Sequence, residues 1–183
     1  LTAVTGGDVT FSGIFSGGQP ITKVGNGTVV LSGVNTYSGA TSVVNGTLVG
    51  QAQASGSPFG GNSAFTVTNG ALALNGAGVA RNVSTTGALN INGGNAALSV
   101  NDASAVGTQF TFGSLVRTNN STITFKGMTT DIGAAGNEKV TFTSAPAILN
   151  GTIGTWAVIQ AAGGTYATIS GGNVFTATYG GRG

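Results

Sequence analysis

Apolar and polar positions alternate in short bursts along this chain, and nearly every burst stops at Gly, Asn or Ser. Phe65-Thr66-Val67-Thr68 and Thr122-Ile123-Thr124-Phe125 alternate strictly, which puts apolar side chains on one face of a strand and threonines on the other. The same reading predicts strands at Thr28–Leu31, Thr41–Val44, Ala71–Leu74, Gln109–Phe112, Ser121–Phe125, Lys139–Phe142, Thr155–Ile159 and Phe175–Tyr179, short runs rich in β-branched and aromatic residues. No stretch of ten residues holds a 3.6-residue period without a glycine in it, so no helix is predicted.

A phrase introduces many of these runs: Gly, a small residue, then apolar residues, at Gly27, Gly46, Gly70, Gly87 and Gly113. The intervals are 19, 24, 17 and 26 residues. A unit of about twenty residues cannot bury its own apolar face and must share it with neighbours, which is the logic of a β-solenoid. At one rung per unit, the chain would form about nine coils reaching about 40 Å. The alternative is a β-sandwich built from hairpins, because Asn45-Gly46, Asn69-Gly70, Asn75-Gly76, Asn92-Gly93 and Asn150-Gly151 are also two-residue type I′ turn signals.

Composition narrows the chemistry. The 183 residues include 34 glycines, and 5% of residues are charged against 40% hydrophobic; an average domain is about 25% charged. There is enough apolar side chain to oppose disorder. The six basic and four acidic residues are scattered, so nucleic acid has no phosphate-tracking patch and is not an expected partner. With no Cys and no His, disulfides, thiolate metal sites, cysteine nucleophiles and a Ser-His triad all drop out. No apolar run is long enough to span a membrane as a helix. Leu1 is not an initiator Met and both ends read as cut, so an excised piece of a longer protein is expected.

The stretch "SGIFSGGQPITKVGNGTVVLSGVNTYSGATSVVNGTLVG" from Ser12 to Gly50 carries a dense set of fixed offsets. They are Lys23-Val24-Gly25, Gly27-Thr28, Leu31-Ser32-Gly33, Asn35-Thr36-Tyr37, Gly39 with Thr41 and Val43, and Asn45-Gly46-Thr47-Leu48. This stretch resembles the autotransporter-associated β-strand repeat, or passenger-associated transport repeat, of large exported bacterial surface proteins. "FTVTNGALALNG" and "ALNINGG" resemble the more degenerate coils that follow such a repeat, while Gln51–Asn62 departs from it as a looser linker. The resemblance implies an all-β, right-handed parallel β-helix with irregular loops. It also implies export to the bacterial cell surface, in association with the outer membrane, and roles in adhesion, aggregation or fibre building. The organisation expected is a repeat over 1–50, degenerate solenoid coils over 51–149, and C-terminal coils or a connecting segment over 150–183.

The residues singled out are Lys23, Gly25, Gly27, Leu31, Gly33, Asn35, Tyr37, Gly39, Asn45, Gly46 and Leu48, all as structural parts of the repeat. Tyr37 reads as cover for a coil corner or as a stacking platform for a ligand, Lys23 as a solvated edge charge, and the Asn residues as candidates for a stacked amide ladder. Trp156 reads as core or as a carbohydrate platform. Asp131 and Glu138 flank "IGAAGN" beside Lys139, and read as a loop ion pair or as a two-carboxylate Ca²⁺ site. Thr66/Thr68, Thr122/Thr124, Thr141/Thr143 and Thr176/Thr178 would stack into flat hydroxyl arrays able to hold ordered water or glycans, or simply suit a solvent face. Polysaccharide-processing chemistry needs clustered carboxylates, and only Asp8, Asp102, Asp131 and Glu138 are available. The expectation is therefore a non-enzymatic, cofactor-free surface segment. Its partners would be further repeats or copies of itself, or a glycan or ligand on a host or neighbouring cell. No segment reads as a terminal cap.

Overall fold

The computed structural model describes residues 1–61, 64–102, 106–127, 138–160, 165–170 and 172–176. Among these the regular structure is all β. The strands are β1 (Asp8–Phe11), β2 (Ile21–Lys23), β3 (Thr28–Leu31), β4 (Thr41–Gln51), β5 (Phe65–Asn75), β6 (Arg81–Ser84), β7 (Leu89–Asn92), β8 (Asn95–Asn101), β9 (Thr108–Phe112), β10 (Leu115–Thr118), β11 (Thr122–Gly127), β12 (Glu138–Phe142), β13 (Ala157–Ile159), β14 (Thr165–Ser170) and β15 (Asn173–Thr176). The chain winds as a parallel β-solenoid.

Three faces carry the ladders. On the first, β2, the start of β4, the start of β5, β7 and β10 pair in parallel, aligning Ile21, Thr41, Phe65, Leu89 and Leu115. On the second, β1, β3, the end of β4, the end of β5, β8, β11 and β13 align Asp8, Thr28, Thr47, Ala71, Ala97, Thr124 and Val158. On the third, β6, β9 and β12 align Arg81, Thr108 and Glu138. The core is the inward column of each face. On the second face Val29, Leu48, Leu72, Leu98, Phe125 and Ile159 stack and are buried. Burial of about 25 cal/mol per Å² of apolar surface is what holds such a coil on its neighbours.

The register explains the uneven intervals in the sequence. Successive positions of the second-face column lie 20, 19, 24, 26, 27 and 34 residues apart. Gly46 pairs with Gly70, and Gly27 stands just ahead of the Thr28–Thr47 pair, so these three mark one corner. Gly87 and Gly113 instead precede Leu89 and Leu115, the first-face column to which Thr41 and therefore Gly39 belong. The recurring phrase had merged two corners, because Gly followed by a small residue opens a strand at either. Growing coils also shorten the stack: the second face carries seven rungs among the described residues, a reach of about 29 Å at about 4.8 Å per step rather than that of nine coils.

Two further expectations are corrected. The turn signals Asn45-Gly46 and Asn69-Gly70 do not fold back. Each lies inside one eleven-residue strand that bends from the first face to the second, which removes the sandwich alternative. Asn150-Gly151 is the hairpin among them, with φ of 51° and 77° and with Leu149 and Thr152 exchanging both backbone hydrogen bonds (2.8 and 3.1 Å). The C-terminal end does carry a cap. β14 runs antiparallel to β13 on the second face, and β15 runs antiparallel to β14 and to β12 on the third, so this hairpin covers the exposed edges of two faces.

Candidate functional site

The coil bounded by Lys23 and Leu48 is the best-defined feature of the chain. Lys23 pairs with Val43 and shares an inward column with Val67 and Ile91. It is fully buried, contrary to the solvated position expected of it. Its Nζ donates to the carbonyls of Val24 (2.9 Å), Gly25 (2.7 Å) and Asn45 (3.1 Å). Three charge-assisted hydrogen bonds thus replace the water that the ammonium gives up. Burial nevertheless lowers its pKa from the ordinary lysine value, since desolvation penalises the charged form.

Gly46 stands at the same corner with φ of 69°, a left-handed conformation that glycine adopts without a Cβ penalty. A Cβ there would also lie 2.5 Å from Gly27 O and 2.7 Å from Lys23 Nζ. Gly25 (φ 77°) faces Ala3, and side chains on Gly27, Gly33 and Gly39 would run into the backbones of Val4 and Gly7, of Gly13, and of Gln19. Leu31 and Leu48 are core, and Asn45 stands in register with Asn69.

Asn35 and Tyr37 fasten the coil to both neighbours. Asn35 Oδ1 accepts from Phe15 N (2.7 Å) in the coil before, and its Nδ2 donates to Pro58 O (2.5 Å) in the coil after. Tyr37 is buried, with its hydroxyl 2.8 Å from Thr41 Oγ1. Burial raises its pKa, an effect partly offset by the hydrogen bonds to Thr41 and to the Gly60 backbone. Only 1% of Tyr37 is exposed, so its ring packs within the coil corner rather than standing out from it as a stacking platform.

Residues 21–49 match the family model of the passenger-associated-transport-repeat. Neither a curated protein nor a solved structure matches the chain. The repeat together with the stacked parallel coils supports an autotransporter passenger segment.

Beyond this passenger-associated-transport-repeat, the structure distributes the remaining candidates. The linker after it is less loose than its sequence suggests: Ala52, Pro58, Phe59 and Gly60 are buried. Phe59 fills the place of the side chain that Gly50 lacks and stacks on Phe110, with ring centroids 5.5 Å apart. No spacing in the sequence marked Phe59, although an isolated aromatic in a polar loop is a signal worth reading. Thr41 was also missed as a buried polar residue in an apolar column.

Trp156 packs partly buried against the core, with the Arg117 guanidinium over its ring at 5.1 Å. The threonine pairs do not form one array. Thr66 lies on the first face, in a column reading Thr22, Ser42, Thr66, Asn90 and Val116, while Thr122 lies on the second face and Thr141 on the third. Thr122 Oγ1 and Thr141 Oγ1 donate to Asn95 Oδ1 (2.6 Å) and Asn173 Oδ1 (2.7 Å). Thr178 and Asp131 lie outside the described residues. Glu138 therefore cannot be placed against Asp131; its Oε1 instead accepts from Asp102 N (2.9 Å), and Lys139 points to solvent. Amide contacts between coils occur at Asn119 Nδ2 to Asn92 Oδ1 (2.6 Å).

A hollow at the first coil is lined by Phe15, Gln19, Pro20, Ile21 and Tyr37, among others. Its lining side chains include no carboxylate and no Lys or Arg, and the titratable side chain among them is the Tyr37 phenol, which is already hydrogen-bonded to Thr41.

Proposed function

We propose that this chain is a structural and adhesive segment of an exported bacterial cell-surface protein, working outside the cell by presentation rather than catalysis. The observation that carries the reading is the continuous parallel ladder running from a passenger-associated-transport-repeat through the later coils. Such a ladder converts chain length into a rigid wall, and its surface is rich in hydroxyls and amides and poor in charge. A low-charge wall of this kind favours lateral association with like surfaces, so its partners are other copies or coils and the surfaces of neighbouring cells.

The test is direct. Beads coated with the purified 183-residue chain should clump with one another or retain bacterial cells above the level of albumin-coated beads. Retention equal to albumin would remove the adhesive role and leave a purely structural spacer.

A further inference from the structure

The three faces differ on their outer side. The first presents Thr22, Ser42, Thr66 and Asn90, and the third presents Asn82, Gln109 and Lys139. The second presents two uncharged columns of small or β-branched residues over four consecutive rungs, Thr28, Thr47, Ala71 and Ala97 in one, Val30, Val49, Ala73 and Ser99 in the other. Gln51, Asn75 and Asn101 flank these columns on one side, and Asn45 and Asn69 on the other. An apolar strip with polar margins is the layout of an interface core and its rim. The charges of these columns stand at opposite ends of the strip. Asp8 is exposed on the first rung, and Lys126 is partly exposed on the sixth.

We infer that this outer side is a self-docking surface, on which a second copy of the chain packs with its stack reversed, Asp8 of each copy against Lys126 of the other. Two copies can meet face to face about a two-fold axis in either of two ways. An axis along the stack sets like rungs together, Asp8 on Asp8 and Lys126 on Lys126, which repel. An axis along the strands sets the first rung on the sixth, the second on the fifth and the third on the fourth. Opposite charges then meet at both ends, and β-branched residues meet small ones between them: Thr28 with Ala97, Val30 with Ser99, Thr47 with Ala71 and Val49 with Ala73. The strip runs about 24 Å along the stack and about 13 Å along the strands. Roughly 300 Å² per partner falls short of the roughly 800 Å² a side of a stable complex. A single contact is therefore weak, and association depends on many copies displayed together.

The docking surface rests on the reading of this chain as a self-associating surface segment, and it can fail separately from adhesion. Because the chain has no Cys, Val30→Cys and Ser99→Cys each give a protein with one thiol. In the reversed pairing these two positions face each other across sheets about 10 Å apart. Two copies of either variant alone hold their thiols three rungs apart, about 14 Å along the stack. A short bis-maleimide added to concentrated protein should therefore link the mixture into dimers roughly tenfold above either variant alone, since the second linkage is intramolecular once the pair has formed. Adding Asp8→Lys to both chains should cut that yield roughly threefold. The yield should return when one chain carries Asp8→Lys and the other Lys126→Asp. A mixture that links no better than its components would overturn the proposal even if coated beads retain cells, as would Val30→Cys linking to itself as readily. Mixed dimers from a chain whose beads retain no cells would remove adhesion and leave the docking surface standing.

Discussion

At the residue scale, Lys23 places an ammonium in a column that continues through the buried Val43, Val67 and Ile91 to the exposed Arg117. Lys23→Met keeps the stem and removes three donors, leaving the carbonyls of Val24, Gly25 and Asn45 without them. The expected cost is about 2–4 kcal/mol, measured by urea unfolding. The pH response has a definite sign. A lowered folded-state pKa means that the unfolded chain holds the extra proton, so Lys23 makes stability rise with pH from its folded pKa up to 10.5. Tyr37, with its pKa raised above 10.0, acts in the opposite sense, and its contribution is lost as pH climbs from 10.0 to the folded value. Urea midpoints between pH 8 and pH 11 should therefore lose the rising component in Lys23→Met and the falling one in Tyr37→Phe. The period was legible: Ile21-Thr22-Lys23 puts Lys23 on the face of Ile21. Its charge argued for solvent, and only the three carbonyls brought together from two successive coils outweigh that preference.

At the element scale, Asn-Gly serves two geometries with one backbone requirement. Gly46 and Gly151 have φ of 69° and 77°, yet one bends a continuous strand and the other closes a hairpin. Local sequence could not separate them, because the deciding partners of Thr47 are Thr28 and Ala71, about twenty residues away on either side. Their tolerance should differ accordingly. Gly151→Ala meets nothing within 4 Å and should cost about 1–2 kcal/mol for the left-handed conformation. Gly46→Ala adds contacts with Gly27 O and Lys23 Nζ and should exceed that by about 1–3 kcal/mol; equal costs would show that the corner yields. Phe59 sits in a stretch that reads as a tolerant linker, but Phe59→Ala empties the place beside Gly50 and is expected to cost about 3–5 kcal/mol in the same unfolding assay.

At the scale of the whole molecule, the two ends of the stack differ. β14 and β15 lie antiparallel across β13 and β12, while β1 begins the second-face ladder with its outer edge unpaired among the described residues. Uncovered strand edges template association. Deleting residues 160–183 uncovers β12 and β13, and light scattering after size exclusion should then report larger species than the intact chain forms. An unchanged mass would mean that the hairpin is dispensable as a cover. The antiparallel hairpin was invisible in the sequence, because Thr165–Ser170 and Asn173–Thr176 draw on the same Thr, Val, Ile and aromatic residues as the parallel strands before them. Direction is carried by the path of the chain, not by the letters of the strand.

By itself the sequence determined the all-β character, strands such as Thr28–Leu31 and Gln109–Phe112, the glycine-marked corners and the family phrase of residues 21–49, while strands such as Arg81–Ser84 and Asn95–Asn101 were not marked by it, since alternation, β-branching and the need for positive φ are local properties. Tertiary structure decided which corner each Gly opens, that Asn45-Gly46 bends rather than reverses, that Lys23 and Phe59 point inward, and that Asp102 meets Glu138. Each of these depends on contacts between residues some twenty to fifty positions apart. Coils of 19 to 34 residues bring such residues together at a register that no single stretch of sequence encodes.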